Sequence, residues 1–83
     1  MDELETIDLT LEHVVISGDF IKLSSFLKYC GAVMTGGEAK QLVLSGQVMV
    51  NELFCAERGR KLRPGDIVSV GGRRFLVDNI HEA

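Results

Sequence analysis

The chain has 83 residues, 46% of them hydrophobic and 25% charged, with a formal net charge of −3. Such a composition suits one soluble globular domain, because a chain this short buries only about 60% of its unfolded surface and leaves no room for a second core. A membrane-spanning class is excluded, since no apolar run approaches the roughly 20 residues a span requires, and the acidic start Met1-Asp2-Glu3-Leu4-Glu5 is unlike a secretory signal.

The net charge conceals a sorting along the chain. Residues 1–19 carry Asp2, Glu3, Glu5, Asp8, Glu12 and Asp19 with no Lys or Arg, and all nine basic residues follow. From Phe20 to Phe75 those nine face only Glu38, Glu52, Glu57 and Asp66. Screening confines a field to about 8–10 Å at physiological salt, so an acidic end does not cancel a basic body. Residues 1–13 are read as an acidic, partly flexible N-terminal extension, and residues 14–83 as a single domain.

Leu11 to Ile16, with the β-branched run Val14-Val15-Ile16, predicts a first strand, ended by the turn residues Ser17-Gly18-Asp19. Residues 1–8 have little apolar periodicity, and either hang loosely or continue that strand. Leu23, Phe26, Leu27 and Cys30 fall at i, i+3, i+4 and i+7, one face of a short amphipathic helix that Gly31 closes. Thr35-Gly36-Gly37-Glu38 matches a capping box: the threonine hydroxyl accepts from the Glu38 N–H, and the glutamate reaches back to the Thr35 N–H. The helix that follows buries Ala39, Leu42 and Val43 and stops at Ser45-Gly46. Gln47 to Val50 predicts a strand with Val48 and Val50 on one face, Asn51-Glu52 a tight turn, and Leu53-Phe54-Cys55 the start of the return strand.

A basic loop from Glu57 to Leu62 precedes Arg63-Pro64-Gly65-Asp66, the residue pattern of a type II turn. Ile67–Val70 and Phe75–Val77 then flank Gly71-Gly72, a two-residue hairpin signal. The order β, αα, ββ, ββ implies an α+β domain, with two short tandem helices packed on a small, mainly antiparallel sheet.

Cys30 and Cys55 are too far apart in sequence for a zinc knuckle or a redox dithiol and read as buried thiols. His13 and His81 share no ligand spacing with them, so neither a metal nor a cofactor is expected. An enzyme is not expected either: the chain offers no nucleophile beside a base, no Walker glycine-lysine loop and no evident acid pair. Tyr29 and Phe54 are expected in the core rather than on a base-stacking surface.

Lys22, Leu23 and Ser24 opening the first helix, Thr35-Gly36 opening the second, then Ala39, Leu42-Val43, Gly46 and Val48, Val50 and Asn51, resemble in register the alpha-L motif of the ribosomal-protein S4 family of RNA-binding domains. Leu62 and Gly65-Asp66 resemble the leucine and the Gly-Asp step before that family's closing strand. The runs Gly-Gly-Glu-Ala-Lys and Arg-Gly-Arg-Lys-Leu look like a subgroup of small stand-alone bacterial proteins. The likeness covers roughly residues 14–77. Ser24 departs from an acid, Glu52 from the turn glycine, and Gly36 from an arginine that the family commonly directs at RNA.

The resemblance implies a cytoplasmic, monomeric protein that binds structured RNA, ribosomal RNA foremost, and associates with ribosomal particles rather than membranes. Charge and resemblance together nominate Lys22, Lys28, Thr35, Gly37, Lys40, Gln41, Asn51, Arg58, Arg60, Lys61 and Arg63 as RNA-binding, with Gly36 shifting much of the grip to the Arg58–Arg63 loop. The Gly36-Gly37 helix start stays open to two readings, phosphate binding by free N–H groups or plain capping. The rival function is a protein-interaction module that uses the acidic extension or an exposed sheet edge.

Overall fold

The computed structural model describes residues 11–79; residues 1–10, which hold most of the expected extension, and residues 80–83 lie outside the described residues. The elements in chain order are β1 (Leu11–Ile16), β2 (Ile21–Lys22), α1 (Leu23–Tyr29), α2 (Gly36–Leu44), β3 (Val48–Val50), β4 (Leu53–Phe54), β5 (Lys61–Leu62), β6 (Ile67–Val70) and β7 (Arg73–Asn79). Five strands form one sheet in the order β1-β7-β6-β3-β4, with β1 parallel to β7 and the other neighbours antiparallel. Strands β2 and β5 pair separately as a two-stranded antiparallel ribbon.

Successive side chains of a strand point to opposite faces, so Val48 and Val50, Val68 and Val70, and Phe75 and Val77 share one side of the sheet. Leu23, Phe26 and Leu27 of α1 and Ala39 and Val43 of α2 complete the core with them. Phe26 meets Phe75 edge to face, ring centroids 6.1 Å apart at 79°, the arrangement aromatic quadrupoles favour. Among the described residues no polar or charged side chain is buried. Apolar burial, at about 25 cal/mol per Å², therefore carries the packing. The result is the α+β architecture that the sequence implies.

Turn chemistry also follows the sequence. Gly65 adopts φ +100° in the type II turn that the Asp66 N–H closes onto the Arg63 carbonyl at 3.0 Å. At the β3–β4 turn the left-handed conformation falls instead on Asn51 and Glu52, at φ 52° and 70°. Glu52 thus holds a backbone that suits glycine, at a cost of about 1–2 kcal/mol.

Four local expectations are corrected. The Thr35 hydroxyl does accept from the Glu38 N–H at 3.1 Å, but the Glu38 carboxylate accepts from the Met34 N–H at 2.7 Å, not from Thr35. The basic loop is not all loop, because wholly buried Leu62 pulls Lys61–Leu62 into strand pairing. Tyr29 and Phe54 lie outside the core, 60% and 73% exposed. Tyr29 reaches across to donate to the Val15 carbonyl at 2.8 Å, and Phe54 pairs with Met49, whose side alternates away from buried Val48 and Val50. Cys55 is buried as expected, whereas Cys30 is only half-buried; both are free thiols.

Candidate nucleic-acid interface

Helix α1 begins at an N-cap, Lys22, whose side chain makes no capping bond. The first N–H groups of a helix have no partner within it. Here the basic loop supplies two: the Leu23 N–H donates to the Arg60 carbonyl at 2.8 Å, and the Ser24 N–H to the Arg58 carbonyl at 3.0 Å. Ribbon pairing continues the seam, with Ile21 opposite Leu62 and Lys22 opposite Lys61. Leu62 is wholly buried and Ile21 packs against the core, so alternation sends Lys22 and Lys61 to the outer face together.

Five of the predicted RNA-binding residues are thereby gathered at the start of α1: Lys22, Arg58, Arg60, Lys61 and Arg63. Lys28 lies in the last turn of the same helix, about 9 Å farther along its axis. Lys40 is exposed on α2. None of these seven forms an ion pair among the described residues. Arg73 differs. It donates to both Glu12 carboxylate oxygens at 3.0 and 2.9 Å, and its guanidinium lies 4.9 Å from the Phe75 ring centroid. The hydrogen bond from Arg73 holds the Glu12 carboxyl below the ordinary glutamate range.

Thr35, Gly37 and Gln41 share a different place. They line an open groove of about 830 Å³ between the α1–α2 connector and α2. Glu38 lines it too, and its carboxylate with the Thr35 hydroxyl takes the Met34 and Glu38 N–H groups. That occupancy favours capping over anion binding at the Gly36-Gly37 start.

Asn51 contributes through the Arg63–Asp66 turn and the start of β6. Its amide donates to Asp66 at 3.0 Å and accepts from the Ile67 N–H at 2.9 Å. The other Asp66 oxygen accepts the Arg63 N–H at 2.8 Å. Asn51 therefore braces the turn from which Arg63 projects.

Sequence reasoning missed Phe20. Its ring is 40% exposed, with the Lys61 ammonium 4.8 Å and the Arg63 guanidinium 5.8 Å from its centroid. No local pattern marks it: the match of Phe20-Ile21-Lys22 to Lys61-Leu62-Arg63 emerges only where Ile21 pairs with Leu62.

Burial raises the Cys30 thiol above the ordinary cysteine range, which lowers its reactivity. No helix among the described residues is long and apolar enough to cross a membrane.

The profile of a family described as S4 domain matches residues 14–78. The probable ribosome maturation protein RlbA of Bacillus subtilis (strain 168) is 37% identical over 59 residues, covering 71% of this chain and 83% of RlbA. A tyrosine–tRNA ligase of Nitratidesulfovibrio vulgaris is 32% identical over 65 residues, 77% of this chain but 16% of the ligase. The solution structure of YbcJ from E. coli, described as revealing an alpha-L motif involved in RNA binding, aligns with a TM-score of 0.61. That alignment covers 87% of this chain and 90% of YbcJ at 24% identity, a likeness of fold.

Proposed function

We propose, since this chain belongs to the S4 domain family, that it is a non-catalytic cytoplasmic protein that binds structured RNA, with ribosomal RNA as the first candidate, and acts as a monomer on ribosomal particles. The observation that carries this reading is the group of five cations, without an ion pair among the described residues, stitched to the start of α1 by the Leu23 and Ser24 hydrogen bonds. Affinity for RNA comes largely from Lys and Arg displacing counterions at phosphates. A cation already neutralised by a carboxylate contributes little of that gain, and Arg73 is the example. The described function of RlbA, ribosome maturation, and the RNA-binding motif ascribed to YbcJ support the same reading.

If about five phosphates are engaged, log affinity falls against log salt with a slope near −4, between single-strand and duplex behaviour. Filter binding with a structured ribosomal RNA fragment at two salt concentrations tests this. Absent or salt-insensitive binding sinks it. A second reading, a protein-interaction module, draws on Leu53 and Phe54, 72% and 73% exposed on edge strand β4. Association there buries apolar surface and persists in high salt.

A further inference from the structure

We infer that Phe20, framed by Lys22, Lys61 and Arg63, is a nucleotide subsite on which one unpaired RNA base stacks while the three cations hold the phosphates beside it. The inference rests on the RNA-binding reading and adds a contact of a different kind, since none of the cations discriminates a paired from an unpaired nucleotide.

Three features of the ribbon support it. Ile21 and Leu62 face the core, so alternation turns Lys22 and Lys61 to the outer side, where the ring of Phe20, just before β2, has Lys61 and Arg63, just after β5, over its face. Lys22 stands directly opposite Lys61, and like charges so placed are destabilising. Asp19, the nearest acid in sequence, forms no ion pair with them. An anion relieves that repulsion, and a nucleotide supplies both the anion and a flat π face.

The ring meanwhile has the Lys61 ammonium 4.8 Å from its centroid. Lysine carries its charge on a flexible four-carbon stem. It can swing from the ring to a phosphate and uncover the face for a base. In the protein alone the cation–π contacts keep the exposed ring occupied.

The chain contains no tryptophan, so Phe20→Trp gives a single reporter at the subsite. The probes are an RNA duplex with one bulged adenosine and the same duplex without the bulge. The bulged duplex is expected to bind more tightly by about 5- to 100-fold, the range of base–aromatic stacking, and to quench the indole emission of the Phe20→Trp variant more strongly. Phe20→Leu, tolerated at a part-exposed site, should abolish that preference while leaving the salt slope unchanged, and Phe20→Tyr should keep it. Equal affinity of the unaltered protein for both duplexes, or an undiminished preference in Phe20→Leu, overturns the subsite and leaves RNA binding standing. Failure to bind either duplex overturns both readings.

Discussion

Arg73, beside the β1–β7 pairing, donates two hydrogen bonds to Glu12, whereas Lys22 and Lys61 face each other across the β2–β5 ribbon with no ion pair to an acid among the described residues. The first arrangement satisfies its charge internally and lowers the Glu12 proton affinity as a consequence. The second has no carboxylate for its charge, only the Phe20 ring beneath Lys61, and relies on buried Leu62 and half-buried Ile21 to keep the strands in place. Net charge cannot register the difference. The same residue types serve as cross-ties at one place and as an open grip at the other, and what decides is whether a carboxylate lies within reach.

Five changes break or sharpen that contrast. The largest effect is expected from Leu62→Ala, which removes the apolar anchor of the ribbon and should cost about 2–5 kcal/mol in denaturant unfolding. A loss under about 1 kcal/mol would mean that the ribbon is not held from beneath. Next, replacing Arg58, Arg60 and Lys61 together with alanine should lower RNA affinity about a hundredfold near 0.1 M salt and flatten the salt slope by roughly two to three. Arg73→Ala should leave both within error in the same filter assay. If the two variants behave alike, the distinction between paired and unpaired cations has no bearing on binding.

A smaller effect should come from Lys22→Glu, which turns the like-charged pair opposite Lys61 into an attractive one. Stability should rise by a few tenths of a kcal/mol while RNA affinity falls. Calorimetry and filter binding would show the two moving in opposite directions; a parallel fall in both would contradict the trade. The least effect is expected from Glu12→Gln. Because Arg73 depresses the Glu12 proton affinity in the folded state, the pairing stabilises above the ordinary glutamate range and is lost as pH falls through the depressed value. The variant should therefore melt slightly below the parent near neutral pH, and the gap should close as pH drops below about 4. A gap that stays constant down to about pH 2 would show that the ion pair is not its source.

What the sequence disclosed and what it hid divide along the same physical line. Locally encoded features were legible: the Thr35 cap, the Gly71-Gly72 hairpin, the Arg63–Asp66 turn and the valine alternation of β3 each depend on residues a few positions apart. The ribbon was not, because a two-residue strand has no period to detect and exists only where Ile21 meets Leu62, far along the chain. Phe20 escaped notice for the same reason, as an isolated aromatic after a turn. Tyr29 and Phe54 are apolar yet exposed because facing decides burial over hydrophobicity: Tyr29 stands off the Leu23-Phe26-Leu27 stripe, and Phe54 lies opposite Met49. Among the site residues, the grouping of Lys22 with the basic loop is tertiary, while the bracing role of Asn51 needed Asp66 to be visible.

The two bonds that the basic loop makes to the start of α1 also equip the protein with internal sentinels. The Leu23 and Ser24 amides are held by the Arg60 and Arg58 carbonyls rather than by their own helix. Their hydrogen–deuterium exchange therefore reports how often the loop lifts off, separately from the opening of the helix or the sheet. RNA that clamps the loop should slow exchange at these two amides first. Each backbone bond that already ties the loop to α1 also lessens the freedom it gives up on binding, so slow exchange at these amides before RNA is added would mark a grip set in advance.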